Sequence, residues 1–148
     1  MKRSNLEMTI LITPDQANFY GNLHGGDLLM RLDRVAYTCA ARYSSEHCVT
    51  LSVDKVLFKE AIHIGEMVTF FASVNYTGRS SMEIGIKVVA EDIKKGLVRH
   101  TNTCYFTMVA VDEDSKPVAV PQLELETDEE KRRFKDAELR RKKRLEDK

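Results

Sequence analysis

Cysteine and proline are limited to three residues each and glycine to seven in a chain of 148. Three cysteines cannot all pair, which excludes a disulfide framework as the organising device. Cys39, Cys48 and Cys104 each sit among apolar neighbours, where a reduced thiol behaves as a small hydrophobe rather than as a catalytic or metal-binding group. With 43% hydrophobic and 31% charged residues, the scarcity of glycine and proline marks a soluble globular chain and excludes a disordered one. Net charge is missing too: 23 basic residues face 23 acidic ones. No global field therefore draws the chain onto nucleic acid or a membrane, and any anionic ligand must be held locally. No apolar run approaches the roughly 20 residues needed to cross a bilayer, and MKRSNLEMTI lacks the apolar stretch of a secretory signal, so a cytoplasmic location is expected. The length suits one domain with a real core.

What is present is a change of period. Glu7 to Thr13 reads as a first strand, and Thr13-Pro14-Asp15 as a turn, because proline fixes φ and cannot extend a ladder. A polar loop follows to Gly26. From Asp27 onward, Leu28, Leu32, Val35, Ala36, Cys39, Ala40 and Tyr43 recur at steps of three and four, the mark of a helix with one buried face. Four β-like stretches come next. Cys48 to Phe58 is one; Val68, Phe70, Ala72, Val74 and Tyr76 carry the second; Ile84, Ile86, Val88 and Ala90 the third; Cys104, Phe106, Met108 and Ala110 the last. One strand, one helix and four strands make an α+β order. Short turns favour antiparallel pairing, so a sheet of about five strands should wrap one face around the helix.

The division expected is a domain over 1–126 and a tail over 127–148. Thr127 and Glu130 form a capping box, and the residues beyond mix charges with few apolar positions. This predicts a solvated helix with i,i+4 ion pairs, docked through Phe134 and Leu139.

Chemistry concentrates before and within the first helix. Gly25 and Gly26 allow close backbone approach, and the unpaired N–H groups at the helix start can polarise a carbonyl or bind an anion. A tight turn explains the same glycines. Asp33 borders the buried stripe, which suits either a general base or an ion pair with Arg31 or Arg34. Asn22, in the preceding loop, can position water or bind a carbonyl.

Pro14-Asp15, Asn22, His24-Gly25-Gly26 and Asp33 resemble the acyl-CoA hydrolases of the hotdog superfamily, which include the brain-type enzyme and its single-domain bacterial relatives. The resemblance continues through Thr50-Leu51-Ser52-Val53-Asp54, Phe58, Ile62, Gly65, the Gly78-Arg79-Ser80-Ser81 turn, Phe106-Thr107, Val109 to Asp112 and Pro117-Val118, and so covers nearly the whole chain. It implies the hotdog fold and an acyl-CoA thioesterase releasing free fatty acid and coenzyme A. Asp33 is implied as the catalytic carboxylate, Asn22 as its assistant, Gly25 and Gly26 as carbonyl-polarising amides. His24 and the Arg79-Ser80-Ser81 turn are implied as substrate and coenzyme A contacts. Many bacterial members have an acidic or small residue and Phe where this chain has Asn22 and His24, and many have Pro at Ala61.

In double-domain members the aspartate and asparagine act from different halves. A chain similar to one half, holding both, is implied to pair Asn22 of one subunit with Asp33 of its neighbour in a dimer, assembled as a trimer of dimers. No metal and no cofactor beyond the substrate's coenzyme A are required, and His24, His47, His63 and His100 show no ligand spacing. Tunnel length for the acyl chain should depend on how Leu29, Val35 and Tyr37 pack across the dimer. A dehydratase on the same fold is the nearest alternative, and a non-catalytic acyl-CoA sensor the next.

Overall fold

The computed structural model describes residues 3–147. Strand β1 (Asn5–Leu11) is followed by a single 3-10 turn (Pro14–Gln16), helix α1 (Gly25–Ser44), strands β2 (His47–Asp54), β3 (Met67–Thr77), β4 (Ser81–Asp92) and β5 (Leu97–Val111), and helix α2 (Asp128–Glu146). The five strands form one antiparallel sheet in the order β1-β3-β4-β5-β2. No described helix is long and apolar enough to cross a membrane.

Alternation along the three central strands sends Val68, Phe70, Ala72, Ile84, Ile86, Val88, Cys104, Phe106 and Met108 to one face, where they close over Leu28, Leu32, Val35, Ala36, Cys39 and Ala40 of α1. Each large apolar side chain removed from water contributes about 1.5–3 kcal/mol, so this layer is the main stabilising term. The three thiols are free and buried; burial pushes those of Cys39 and Cys104 up to about 12.

The element ends differ from those the sequence suggests. The first strand stops at Leu11, and Thr13 instead opens the 3-10 turn, its amide donating to Gln16 Oε1 at 2.8 Å. α1 begins two residues before Asp27, at Gly25, with His24 as its N-cap. β2 ends at Asp54 and not at Phe58, because Lys55 turns into the left-handed region at φ 59° and breaks the ladder.

The far face of the sheet is covered by α2. Phe134 packs on Tyr76 with ring centroids 4.8 Å apart, and Ala137 is buried. Leu139 does not dock as expected: it points to solvent and is 59% exposed. Its place is taken by Arg140, whose guanidinium donates to both oxygens of buried Glu83 (3.0 and 2.6 Å) and lies 3.7 Å over the Tyr105 ring. Burial pulls the Arg140 pKa down, but the hydrogen bonds and charge of Glu83 more than offset it and leave it raised. Beside this contact Gly85 has no room for a side chain, since a Cβ would run into the Asn75 amide. One turn on, Arg144 pairs with Asp54 at 2.7 Å and ties the helix to edge strand β2. The expected i,i+4 pairs are present between Arg133 and Glu129 and between Arg132 and Asp136.

Candidate active site

The loop before α1 is held at both ends by backbone. Leu23 N donates to Ile62 O (2.6 Å), Ile64 N to Gly21 O (3.3 Å) and Gly65 N to Ile12 O (2.8 Å), which straps the loop to the segment leading into β3. Inside it, Asn18 Oδ1 accepts from the amides of Tyr20 (2.9 Å) and Asn22 (3.2 Å), and Gly21 takes φ 77°, a left-handed conformation that favours glycine. Asn22 is thereby presented beside the helix start, with its Oδ1 2.6 Å from His63 Nδ1.

At the helix start the amide of Gly26 meets, among the described residues, only His24 Nδ1, at a long 3.4 Å. The first amides of a helix have no intrahelical acceptor and lie at the positive end of its dipole. The two glycines are also uncrowded: a Cβ on Gly25 would approach nothing nearer than the Phe58 ring at 3.8 Å, and one on Gly26 nothing nearer than His24 at 3.6 Å.

Asp33 lies on the exposed side of α1. Neither Arg31 nor Arg34 claims it: Arg31 binds Asp27 at 2.6 Å, and Asp33 has no ion-pair partner among the described residues. What it has is a hydroxyl, with Thr50 Oγ1 of β2 donating to Asp33 Oδ1 at 2.6 Å. One turn away on either side of it α1 exposes apolar side chains, Leu29, Met30 and Tyr37. Val35, expected with Leu29 and Tyr37 along an acyl tunnel, is instead sealed in the chain's own core at 2% exposure, because it faces the sheet one position round from the exposed side.

The structure does not bring Asn22 and Asp33 together within one chain. Asp33 follows Gly25 by eight residues, about 12 Å along the helix axis, and the two residues belong to separate hydrogen-bond systems. The Arg79-Ser80-Ser81 turn lies farther still. It joins β3 to β4, at the end of the sheet opposite the Ile62–Glu66 segment that holds the site loop. The turn is fixed by backbone, with Arg79 O accepting from Val120 (2.8 Å) and Ser80 O from Ala110 (2.9 Å). The Arg79 guanidinium is exposed, and it and both hydroxyls have no partner among the described residues. A cleft of about 490 Å³ opens beside α2, but it lies across the sheet from α1 and shares no residue with these groups.

Three residues with structural parts here were not singled out for a role by the sequence: Asn18, Thr50 and His63. Thr50 acquires meaning only through its partner 17 residues away on α1, and His63 through one 41 away. Asn18 carried a local signal, an asparagine two residues before an exposed Tyr-Gly pair, which is a side-chain-capped turn.

The thioesterase superfamily model matches residues 20–97. Protein VdlD of Helicobacter pylori is 52% identical over 140 residues, covering 95% of this chain and 79% of VdlD. An apo-hexameric acyl-CoA thioesterase superposes with a TM-score of 0.93 at 36% identity, covering 97% of this chain and 92% of its own. The Staphylococcus aureus acyl-CoA hydrolase, solved with butyryl coenzyme A and coenzyme A, gives a TM-score of 0.86 at 30% identity, over 98% of this chain and 91% of that one. It has also been solved with Ala in place of an Asp, of an Asn fifteen residues before that Asp, and of a Thr seventeen residues after it. The fold is the hotdog fold. The chain belongs to the thioesterase superfamily, and within it to the acyl-CoA thioester hydrolases.

Proposed function

We propose that the chain hydrolyses acyl-CoA to a free fatty acid and coenzyme A in the cytoplasm, at a site assembled between two copies of itself within a trimer of dimers. The observation that carries this reading is the separation of Asp33, bonded to Thr50 on an exposed apolar face, from the loop that opens α1. Each chain offers half of the machinery. The thioester carbonyl accepts from the Gly25 and Gly26 amides, which stabilise the negative charge that develops on its oxygen. Asp33 of the neighbouring copy draws a proton from water or attacks the carbonyl itself, while Thr50 holds Oδ1 and leaves Oδ2 for the reaction. A thiolate leaves without strong acid help, so no second acid is required.

A loop asparagine of the first copy assists. Asn22 is one assignment, with its amide nitrogen directed away from His63. A second assignment, Asn18, is favoured by spacing. Asn18 precedes Asp33 by fifteen residues and Thr50 follows it by seventeen, the separations at which the S. aureus hydrolase has been substituted. His24 caps the helix beside the substrate. In a two-fold pair with antiparallel sheets, the Arg79 turn of one copy comes to the same end as the helix start of the other, which suits contact with the coenzyme A phosphates.

Two experiments test the shared site. Inactive Asp33→Ala subunits, mixed and exchanged with an equal amount of whichever of Asn18→Ala and Asn22→Ala is itself inactive, regain activity, because about a quarter of the composite sites then hold both native groups. Whichever asparagine complements is the assisting residue, and exchanged mixtures that stay inactive rule out sharing. Arg79→Ala raises KM for acyl-CoA by about tenfold, the loss of one charge-assisted contact of roughly 1.5 kcal/mol, and leaves a truncated thioester without the nucleotide unaffected. Equal losses on both substrates mean that Arg79 shapes the turn instead.

A further inference from the structure

The turn between Ile62 and Glu66 brackets the site loop at both of its ends. Where the loop begins, Ile12 N donates to Glu66 O at 3.0 Å and Ile12 O accepts from Gly65 N at 2.8 Å. Where it ends, Leu23 N donates to Ile62 O at 2.6 Å and Gly21 O accepts from Ile64 N at 3.3 Å. Ile12, Leu23 and Ile62 are all buried. Leu23 stands directly before the N-cap His24, so the turn sets where both the loop and the first amides of α1 lie.

What holds the turn is a buried carboxylate. Glu66 is 6% exposed, and its Oε1 accepts from two groups that can only donate, the His63 backbone amide at 2.7 Å and the Arg99 guanidinium at 2.7 Å. The same Arg99 nitrogen, reaching in from the start of β5, donates to Ala61 O at 3.0 Å and so closes the turn across its two ends. Stability alone does not call for such a pair, since apolar residues of similar volume often serve as well in a buried place. What apolar residues cannot do is fix a backbone amide and a backbone carbonyl in one directed, charge-assisted arrangement. We infer that Glu66 and Arg99 are positioning residues for catalysis, their pair fixing the turn that places the site loop and the helix-start amides for the reaction. The inference rests on the proposed reading of that loop as half of a shared active site, and it holds whichever asparagine of the loop assists.

The test uses the assembled full chain with an acyl-CoA substrate, at a temperature below every thermal midpoint, and reads turnover per folded molecule. Glu66→Ala releases the His63 amide and Arg99 together and lowers kcat by about ten- to a hundredfold, the range for catalytic groups displaced by about 1 Å. KM changes less than about twofold, because the proposed coenzyme A contacts at the Arg79 turn are untouched. Glu66→Gln keeps most of kcat, since its Oε1 can still accept from both donors. Arg99→Ala, at a side chain 31% exposed, lowers kcat by about tenfold and decides the matter if Glu66→Ala does not fold. Arg140→Ala, which breaks the buried pair under α2, is the control: it lowers the midpoint and keeps wild-type turnover per folded molecule. Wild-type kcat in Arg99→Ala, equal losses in the Gln and Ala variants of Glu66, or a loss of kcat in Arg140→Ala as large as that in Arg99→Ala overturns the assignment. Asp33→Asn, assayed alongside, separates the two levels. If it is inactive while Arg99→Ala is unimpaired, only the role of the Glu66–Arg99 pair falls; if it turns over normally, the site reading falls and the inference with it.

Discussion

Replacing Asp33 by Asn lowers kcat for acyl-CoA hydrolysis by at least about 10²-fold, the contribution typical of a general base, and more if the carboxylate is the nucleophile. The change keeps the size of the side chain, and the amide oxygen can still accept from the Thr50 hydroxyl that now donates to Oδ1 at 2.6 Å, so the link between α1 and β2 survives. What goes is the negative charge. Folding should hold, because an exposed contact of this kind is worth roughly 1 kcal/mol or less. Measuring kcat and the thermal midpoint on the same preparation separates the two roles. A folded Asp33→Asn protein with near wild-type turnover removes Asp33 from the chemistry, whereas a falling midpoint with unchanged turnover per folded molecule makes it a structural clasp.

Much of the fold was legible because it rests on period. Leu28, Leu32, Val35, Ala36, Cys39 and Ala40 repeat at helical spacing and are the residues that α1 buries, and the alternation of β3, β4 and β5 appears directly as their buried faces. The ends were less legible because they turn on single backbone choices. Lys55 at φ 59° stops β2 four residues before Phe58, and no composition rule places a lysine in that region. α1, capped by His24, starts at Gly25, two residues before the Asp27 from which the apolar pattern runs, since an N-cap is chosen by hydrogen bonding and not by hydrophobicity.

The site divides in the same way. His24, Gly25 and Gly26 open the helix that carries Asp33, so each could be picked out as a candidate from local pattern, while how they combine depends on a second copy that local pattern does not place. Thr50 looks like any outward-facing strand residue until β2 is laid beside α1, and His63 like any loop histidine until its segment closes on Asn22. Val35 was grouped with Leu29 and Tyr37 although its place on the helix faces the core; spacing to Leu28 and Leu32 already put it there. The least legible element was the dock of α2. A helix of mixed charge reads as solvated, and Glu83 reads as the outward position of an apolar strand. Neither hint identifies the other, 57 residues away.

That dock carries the largest expected effect on stability. Arg140→Ala removes both hydrogen bonds to Glu83, whose side chain is only 3% exposed, and leaves a carboxylate buried with the long 3.3 Å contact from Asn75 as its remaining partner among the described residues. Breaking a buried pair from one side costs about 3–5 kcal/mol, mostly because the surviving charge is uncompensated. The thermal midpoint should fall on the order of 10 °C for a chain of this size, read at fixed protein concentration because self-association also stabilises. The stacking of Arg140 on Tyr105 is lost as well and adds to the fall. Combining Arg140→Met with Glu83→Met tests the cause. With neither charge left behind, the double variant should recover most of the loss, since well-packed apolar residues can replace a buried ion pair at little cost. An Arg140→Ala midpoint within about 2 °C of wild type would mean that Phe134 and Ala137 hold α2 by packing alone, with the ion pair contributing nothing beyond its own desolvation.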